Sequence, residues 1–430
     1  MSQNTLADWL AHVERLHPST IELGLERVHA VRRALGLAPS FALITVGGTN
    51  GKGSTCAFLE AMLVAAGYRV GCYTSPHLLR YTERVRIGGR EVDEAALCAS
   101  FAEVEQARGA TSLSYFEFGT LAAMVLFARA GVDAAVLEVG LGGRLDAVNV
   151  FDADCAIITS VDIDHVDYLG TTREAIGREK AGIFRGGRTA VCADATPPSS
   201  LRAHAASIGA NLLEIGRHFD YREAASDWRY QEAGAEALTL PRPALRGDYQ
   251  LANAAAAITA LRALHDRLPV AVEAIRAGPG RAAVAGRFQT LRADPEVIVD
   301  VAHNPHAAAA LAHNLGTLPA ASRTRAVFGM LADKDIEAVV ALLRECFDEW
   351  LVASIDDARG AHARQLVAAL SASGVQVPVR CFDSPASAYR HALNSQCGTG
   401  ERIVVFGSFH TAAEVLREAS ALDPAPATCG

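Results

Sequence analysis

The sequence predicts an α/β protein of two domains, each built on a mostly parallel sheet. Three observations support this prediction. Short apolar runs rich in β-branched residues alternate with longer stretches of helical periodicity, which is the pattern of repeated β-α-β units. The chain has 430 residues, more than one ordinary hydrophobic core accommodates. A stretch with glycine and proline, residues 276–287, interrupts the periodicity and precedes a new series of strands.

Six apolar runs are predicted to be strands. Three precede the interruption and three follow it, so each domain receives strands of its own. We place the boundary near residue 285, giving a first domain of residues 1–284 and a smaller second domain of residues 285–430. The predicted strands are Phe41 to Val46, Ala134 to Val139, Cys155 to Val161, Val297 to Val301, Arg325 to Phe328 and Arg402 to Phe406.

The composition indicates a globular protein of the cytoplasm. Half of the residues are hydrophobic and 20% are charged, and no apolar run approaches the roughly 18 residues of a membrane-spanning helix. Asp8, Trp9, His12 and Glu14 precede any apolar stretch, which differs from the basic-then-apolar order of a secretory signal. We therefore expect a cytoplasmic protein that does not contact a membrane.

Net charge and cysteine spacing exclude two further classes. The formal net charge is −8, whereas proteins that hold nucleic-acid phosphates do so with clustered Lys and Arg, so we expect no nucleic-acid partner. The nine cysteines contain no C-x-x-C pair, which predicts neither a zinc site nor a disulfide framework. We expect them to be reduced packing residues.

A glycine-rich loop, residues 48–54 (GTNGKGS), lies between the first predicted strand and a helix that runs to about Ala66. Glycines let backbone N–H groups turn inward around phosphates, the helix N-terminus favours negative charge, and Lys52 adds a full positive charge. Gly53 separates Lys52 from Ser54, so the loop departs from the strict G-x-x-x-x-G-K-[ST] pattern. We interpret it as a cradle for ATP phosphates; the alternative is a tight turn with an incidental lysine.

Polar side chains follow three predicted strands and suggest a magnesium site. Glu138 ends the second run, the third leads into residues 162–165 (DIDH), and Ser75 follows another short strand. The carboxyl ends of parallel strands face the ligand crevice, where a hard cation prefers oxygen ligands. Glu138, His165 and the Ser75 hydroxyl are the candidates. Their alternatives are a solvent-exposed carboxylate, a structural histidine and a loop serine.

Seven motifs, in order along nearly the whole chain, resemble the bacterial folylpolyglutamate synthases, including the bifunctional branch that is also a dihydrofolate synthase. These enzymes are relatives of the Mur-type cell-wall ligases. The resemblance implies a P-loop ATPase domain, then a smaller Rossmann-like domain, in a monomer. The motifs are residues 48–54 (GTNGKGS), 75–78 (SPHL), 115–117 (YFE), 137–144 (LEVGLGGR), 164–165 (DH), 178–183 (REKAGI) and 300–305 (DVAHNP).

The resemblance also implies roles for individual residues. It implies a carbamylated Lys180 near the metal, where the alternative is an ordinary lysine reaching a phosphate. Ser75, Glu138 and His165 are the implied magnesium ligands. The implied ATP contacts are Thr49, Asn50, Gly51, Lys52, Asn253, Arg287 and Asp300. Arg287 could instead be a linker cation, and Asp300 an ordinary strand-end carboxylate.

Three segments resemble the pterin pocket of the bifunctional branch. Their alternatives are an N-terminal helix and aromatic core packing, and Pro18 and Ser114 are positions where strict identity is not expected. Ser408 resembles a glutamate-contacting position, or is a plain turn serine. The implied pocket consists of Arg15, Leu16, His17, Pro18, Ser114, Tyr115, Phe116, Glu117, Leu145, Asp146 and Ala147.

The implied reaction joins L-glutamate to dihydropteroate, forming dihydrofolate, and to reduced folates. A carboxylate is a poor electrophile, so ATP with Mg²⁺ would convert it to an acyl phosphate, which the glutamate amine attacks. Lys52, Lys180 and His303 are the candidate catalytic residues; His303 binds glutamate or, like Asp300, takes the amine proton. The alternatives are a monofunctional folylpolyglutamate synthase, another Mur-type amide ligase, and an interaction protein that hydrolyses ATP.

Overall fold

A computed structural model of the chain describes residues 5–17, 22–224, 226–247, 249–395 and 400–422. The chain divides into two compact units. Unit 1 consists of Met1–Ala244 and Tyr249–Ala283, and unit 2 of Leu245–Asp248 and Val284–Gly430. The short segment 245–248, which the sequence analysis placed in the first domain, groups with unit 2.

Unit 1 contains an eight-stranded sheet with helices packed on it and a separate three-stranded antiparallel sheet. Its strands are β1 (Ala42–Gly47), β2 (Val70–Tyr73), β3 (Val85–Ile87), β4 (Arg90–Glu91), β5 (Ala134–Glu138), β6 (Cys155–Ile158), β7 (Thr189–Cys192), β8 (Asn211–Glu214), β9 (Phe219–Glu223), β10 (Asp227–Glu232) and β11 (Leu238–Pro241). Its helices are α1 (Leu6–Val13), α2 (Glu26–Ala34), α3 (Lys52–Ala65), α4 (Glu94–Arg108), α5 (Tyr115–Ala130), α6 (Val166–Leu169), α7 (Arg173–Ala181), α8 (Ser199–Ile208), α9 (Tyr249–Ala263) and α10 (Val272–Ala277).

The order of the large sheet places three functional strand ends side by side. The strands run β4-β3-β2-β5-β1-β6-β7-β8, and β1 pairs in parallel with β5 on one side and β6 on the other. All three are buried throughout, as expected for central parallel strands covered by helices on both faces. The loops after β1, β5 and β6 therefore emerge at one edge.

Helix α9 packs against α3, the helix that begins in the glycine-rich loop. Its alanines 254–257 are fully buried, and side chains this small let two helices approach closely. The Ala-rich run is therefore a packing surface, and α9 is brought beside the glycine-rich loop.

Unit 2 is a six-stranded sheet with helices on it, in the order β12-β13-β17-β14-β15-β16, in which only β12 is antiparallel to its neighbour. Phe328, Phe347, Trp350 and Phe406 pack together in its core. Its elements are β12 (Gln289–Ala293), β13 (Glu296–Val299), α11 (Pro305–Thr317), β14 (Arg323–Phe328), α12 (Ile336–Leu343), β15 (Glu349–Ala353), α13 (Ala363–Ala372), β16 (Val379–Phe382), α14 (Pro385–Asn394), β17 (Glu401–Phe406) and α15 (Phe409–Leu422).

The predicted fold class, two α/β units with mostly parallel sheets, is confirmed. Two strands end earlier than predicted by two residues or more: β6 ends at Ile158 rather than at Val161, and β13 at Val299 rather than at Val301. The N–H of Val161 donates to the Asp194 side chain, so it takes no part in strand pairing. Among the described residues, no helix is long and apolar enough to cross a membrane.

Candidate nucleotide, metal and acceptor sites

The loop between β1 and α3 uses glycine where no side chain fits. Gly51 precedes α3 with a φ of 87°, and a Cβ there would lie 2.5 Å from Oδ1 of Asn253. Gly48 has a φ of 148°, and its Cβ would lie 1.8 Å from Oγ1 of Thr159. Both glycines are therefore required by the backbone conformation and by close neighbours.

The backbone N–H groups of the glycine-rich loop and of the first turn of α3 point in different directions. The N–H of Thr49 donates to the Ser160 carbonyl (2.8 Å) and that of Asn50 to the Ser160 hydroxyl (3.0 Å), so both point toward the loop after β6. The N–H groups of the first turn of α3, from Lys52 onward, have no acceptor within the helix and are the ones available to a phosphate. In this structure Thr49 and Asn50 hold the loop in place.

Lys52 folds back over the same loop. Its Nζ donates to the carbonyls of Gly48 (3.1 Å) and Thr49 (3.2 Å). A phosphate group bound at the α3 N-terminus would compete with these neutral acceptors for the ammonium group, because a charged acceptor makes the stronger hydrogen bond. The structure thus keeps the predicted cationic side chain beside the cradle.

Lys180 lies in the last turn of α7 and is only 4% exposed. It lines one cleft with Gly48, Thr49 and Lys52 from the nucleotide loop. Burial, and then the nearby charge of Lys52, lowers the pKa of Lys180 from 10.5 to about 7. A large fraction of this lysine is consequently neutral at physiological pH. The rest of the cleft is formed by Val139, Gly140, Leu141, Gly142, Asp164, His165 and Leu169.

Ser75 and Glu138, two of the three predicted magnesium ligands, lie together. The Ser75 N–H donates to Oε2 of Glu138 (2.8 Å), and a Cβ on Gly53 would lie 3.8 Å from the same carboxylate. His165 precedes α6 with a φ of 51°, at the rim of the cleft, and its side chain is 41% exposed.

The predicted ligands that lie together offer hard oxygen atoms, from one hydroxyl and one carboxylate. No three His, Cys, Asp or Glu side chains form a metal-binding group anywhere in the described part of the chain. Mg²⁺ is usually held by one or two carboxylates together with waters and substrate phosphates, and needs no complete protein cage. The Ser75 and Glu138 pair beside the α3 N-terminus fits such an ion.

Asn253 reaches the nucleotide loop through a residue that the sequence analysis missed. Its Nδ2 donates to Oε1 of Gln250 (3.0 Å), and Nε2 of Gln250 donates to the Ser54 hydroxyl (3.2 Å). All three are buried. No motif marks Gln250, which becomes relevant only because α9 packs on α3.

Ser114 and Glu117 cap helix α5. The Ser114 N–H donates to Oε2 of Glu117 (2.7 Å), and the Glu117 N–H approaches the Ser114 hydroxyl (3.4 Å). The S-x-x-E spacing of a capping box could have revealed this from the sequence. Both side chains are buried and are occupied in these contacts.

Tyr115 and Phe116 form part of an aromatic wall beside the cleft. The Tyr115 ring lies 5.6 Å from that of Tyr81. The Phe116 ring lies 5.7 Å from that of Tyr73, and a Cβ on Gly140, which lines the cleft, would lie 2.8 Å from it. Both side chains are half-buried, and the Arg84 guanidinium lies over the Tyr115 ring, 5.4 Å from its centroid.

Asp146 shapes the loop after β5. Its Oδ2 accepts the Leu141 N–H (2.8 Å) and its Oδ1 the Val148 N–H (3.0 Å). Burial raises the pKa of this carboxyl to about 7. Leu145 is half-buried and Ala147 buried beside it. The predicted pocket residue therefore also has a clear structural role.

The predicted N-terminal segment is tied to α5 by a polar network. Nε2 of His17 lies 2.7 Å from Oε2 of Glu22, and Arg27 pairs with both Glu22 and Glu117, the latter at 2.9 Å. Arg15 is exposed and Leu16 is half-buried against the core. Pro18 lies outside the described residues. Arg27 was missed, because only the fold brings α2 to the start of α5.

In unit 2, Asp300 organises backbone. Its Oδ2 accepts the Phe288 N–H (2.8 Å) and its Oδ1 the Ala302 N–H (2.7 Å). Burial raises its pKa, while the charge of Arg287 acts in the opposite direction. Phe288 is buried with a φ of 46°, a strained conformation that the Asp300 contact holds.

Arg287 and His303 both contact Phe409. The Arg287 guanidinium lies 5.2 Å from the Phe409 ring, and its Nη1 is buried with no hydrogen-bond partner among the described residues. The His303 ring lies 5.8 Å from the same ring, and its Nδ1 contacts the Val301 carbonyl (2.7 Å). Phe409 was not predicted as a site residue.

Ser408 is buried at the start of α15. Its hydroxyl oxygen accepts the Thr411 N–H (3.0 Å), the contact of a helix N-cap. The same hydroxyl, which the resemblance assigned to glutamate, also lies 2.9 Å from the Thr411 hydroxyl.

Comparison with protein families finds two matches in chain order. Residues 46–261 match the Mur ligase middle domain, and residues 286–409 match the Mur ligase, glutamate ligase domain. The dihydrofolate synthase/folylpolyglutamate synthase of Escherichia coli strain K12 is 48% identical over 412 residues, covering 96% of this chain and 94% of the relative. The enzyme of the same name from Haemophilus influenzae is 39% identical over 428 residues, covering 95% and 96%.

Solved structures agree along the chain. E. coli FolC in complex with DHPP and ADP superposes with a TM-score of 0.93 at 47% identity, covering 98% of this chain and 100% of that one. A Yersinia pestis bifunctional folylpolyglutamate synthase/dihydrofolate synthase with AMPPNP and Mn ion gives 0.90 at 48%, covering 97% and 99%. The chain therefore belongs to the dihydrofolate synthase/folylpolyglutamate synthase family of Mur ligases, as the resemblance of its motifs predicted.

Proposed function

We propose that this protein joins L-glutamate to dihydropteroate, forming dihydrofolate, and to reduced folates, using ATP and Mg²⁺ through an acyl phosphate. The observation that carries the proposal is the cleft at the nucleotide loop that Lys52 and Lys180 line together. The relatives support it, because the E. coli structure holds DHPP and ADP, and a bifunctional synthase structure holds Mn, AMPPNP and L-glutamate.

The nucleotide loop would activate the acceptor carboxylate. The first amides of α3 and the Lys52 ammonium bind the phosphates, and Lys52 offsets charge that spreads over the transferring phosphoryl oxygens. Ser75, Glu138 and His165 would hold magnesium, which supplies further neutralisation of that charge when bound. The acceptor carboxylate attacks the γ-phosphorus, the bond from that phosphorus to the β,γ-bridging oxygen breaks, and ADP leaves. The carboxylate oxygen is then part of an acyl phosphate, whose phosphate is a good leaving group.

We further propose that Lys180 carries a carbamate. The neutral Nζ attacks carbon dioxide, an N–C bond forms, and a proton leaves to water. The lowered pKa of Lys180 supplies the neutral amine. A buried ammonium beside that of Lys52 is unfavourable, whereas a carbamate reverses the sign of the charge and offers oxygen atoms that hard cations prefer.

In the second step the glutamate amine attacks the acyl phosphate. We expect His303 to bind glutamate, and we do not expect Asp300 to accept the amine proton. Both Asp300 oxygens already accept backbone N–H groups, at 2.8 and 2.7 Å. Rotating that carboxylate would leave two buried donors without partners, which is costly. We assign Arg287 to ATP and His303 to glutamate, with inorganic phosphate leaving after the amine attacks.

We also propose that the protein acts as a cytoplasmic monomer.

The decisive experiment is mass analysis of products made from dihydropteroate and from tetrahydrofolate, each with glutamate and Mg-ATP. Both acceptors should gain glutamate. Extension of tetrahydrofolate alone would indicate a monofunctional folylpolyglutamate synthase. Product formed only from a nucleotide-sugar peptide would indicate another Mur-type ligase, and phosphate release that does not depend on glutamate would contradict ligation altogether.

A further inference from the structure

An ion pair holds the backbone at the carboxyl end of β6. The N–H of Val161 donates to Oδ2 of Asp194 (2.7 Å), while the carbonyl of Val161 accepts from Nε of Arg173 (2.8 Å). Nη2 of Arg173 also contacts both Asp194 oxygens at 3.1 Å. The N–H and the carbonyl of Val161 are thus both hydrogen-bonded to one ion pair. Within a sheet, a neighbouring strand would make these hydrogen bonds.

The loop that this pair holds, residues 159–165, is joined to the nucleotide loop by hydrogen bonds in both directions. Thr159 Oγ1 donates to the Asn50 carbonyl (2.6 Å), and the Asp162 N–H donates to Thr49 Oγ1 (3.0 Å). The Ser160 carbonyl and hydroxyl accept the amides of Thr49 and Asn50. The conformation of the nucleotide loop therefore depends on where residues 159–165 lie.

Arg173 is also the first residue of α7, the helix that carries Lys180 in its last turn. Its Nη2 reaches the Thr196 carbonyl (3.1 Å), beyond Asp194. One side chain thus connects the loop after β6, the start of α7 and the loop after β7. Asp194 is 8% exposed, whereas the Arg173 side chain is 38% exposed. The pair is therefore partly buried, and its charge-assisted hydrogen bonds are stronger than neutral ones.

We propose that the Arg173–Asp194 pair is a positioning element of the nucleotide site. It holds residues 159–165, and through them Thr49 and Asn50, in the conformation that receives ATP. The two side chains act through the loops and take no direct part in the chemistry. The kinetic part of this inference rests on the proposed function, whereas its structural part does not.

The opposite end of β6 supplies a matched control. Asp154, directly before the strand, accepts the Leu43 N–H at its Oδ2 (2.9 Å) and Nη1 of Arg188 at its Oδ1 (3.0 Å). Asp154 is 7% exposed, so the two carboxylates are equally buried. Arg267 pairs with the same Asp154 oxygen, so the carboxylate rather than either arginine is the matched position. Asp154 lies at the edge away from the nucleotide loop, about 13 Å along a four-residue strand.

The first measurement is hydrogen–deuterium exchange in the ligand-free protein. Arg173→Ala and Asp194→Asn should speed exchange in peptides that cover residues 44–52 and 155–165, whereas Asp154→Asn should leave residues 44–52 unchanged. This readout requires neither nucleotide nor activity. Its failure contradicts the inference alone, while a wild-type protein without ligase activity contradicts the proposed function alone.

The second measurement is steady-state kinetics. Arg173→Ala should raise the KM for ATP about tenfold, the loss expected for one charge-assisted hydrogen bond, with the KM for tetrahydrofolate unchanged. Guanidinium, far below unfolding concentrations, should restore part of the ATP affinity. If Arg173→Ala does not fold, Arg173→Lys and Asp194→Asn replace it, with Asp154→Asn as control. The proposal would be overturned if Asp194→Asn and Asp154→Asn raised the KM for ATP equally. It would also be overturned if Arg173→Ala changed the melting temperature and left the KM for ATP unchanged.

Discussion

The carboxyl edges of the two sheets carry similar polar residues and use them differently. In unit 1, Lys52, Lys180 and His165 line a cleft. In unit 2, Asp300 and Ser408 hold backbone N–H groups at their own strand ends. A polar residue after a parallel strand is therefore not a ligand by position alone. What distinguishes Lys52 is that it lines a cleft as well as donating to two backbone carbonyls of its own loop.

The largest loss of turnover should come from a substitution in unit 1, at Lys52. Lys52→Ala should lower turnover with dihydropteroate and with tetrahydrofolate alike, by about a thousandfold or more, because both need the same phosphoryl transfer. Glutamate-dependent phosphate release would measure this. Lys334→Ala, which removes a lysine that does not line the cleft, should be unaffected. Near-normal turnover of Lys52→Ala with either acceptor would show that the two reactions do not share this site.

Lys180 tests the same cleft in a second way. Lys180→Ala should lose most activity and regain part of it with added short carboxylic acids, which can enter the vacated space as anions. Lys180→Arg keeps a cation and should stay inactive. The measurements are turnover with and without bicarbonate, and the intact mass of the native protein. A fully active Lys180→Arg enzyme, or activity indifferent to rigorous bicarbonate removal, would rule out the carbamate.

The lowered pKa of Lys180 also predicts a pH dependence of stability in buffer free of carbon dioxide. Between about pH 7 and the ordinary lysine value of 10.5, the unfolded chain holds a proton that the folded chain has lost. Stability from this residue should therefore rise with pH across that window. Thermal unfolding of Lys180→Met should lack this contribution, and identical pH profiles of the two proteins would contradict it.

A moderate effect is expected from Phe409 in unit 2. Phe409→Ala should raise the KM for ATP and the KM for glutamate about fivefold each, because the ring contacts both Arg287 and His303. Phe409→Tyr keeps the ring and should remain near normal. Phe382, whose ring lies 5.1 Å from that of His391, is the control. Equal kinetic losses in Phe382→Ala would mean that Phe409 acts only through stability.

The smallest effect is expected from Ser408, and it tests most directly whether a polar residue at a strand end of unit 2 binds a ligand or holds the backbone. If Ser408 serves as the cap of α15, Ser408→Ala should lower the free energy of unfolding by about 1 kcal/mol. The KM for glutamate should change little, and Ser408→Asp, another good cap, should restore stability. A large rise in the KM for glutamate at unchanged stability would instead make Ser408 a ligand.

The features that could be predicted from the sequence are those formed by residues close together along the chain. The nucleotide loop was recognisable because its glycines, lysine and flanking elements are contiguous. Arg173 and Asp194 lie in different elements and become partners only through the fold, and the same is true of Arg27 with Glu117. The end of β6 was misplaced for this reason, since an ion pair from outside the strand takes the backbone of Val161.

The position of β1 between β5 and β6 has a consequence for biosynthesis. Ile44 pairs with Val136 on one side and with Cys155 on the other. A chain growing at about 5–20 residues per second therefore exposes the glycine-rich loop several seconds before its supporting loops exist. Long-range pairing of this kind is slow to form. Nucleotide affinity should consequently appear only after residues beyond 160 have been synthesised, and bound ATP would then favour the completed fold by mass action.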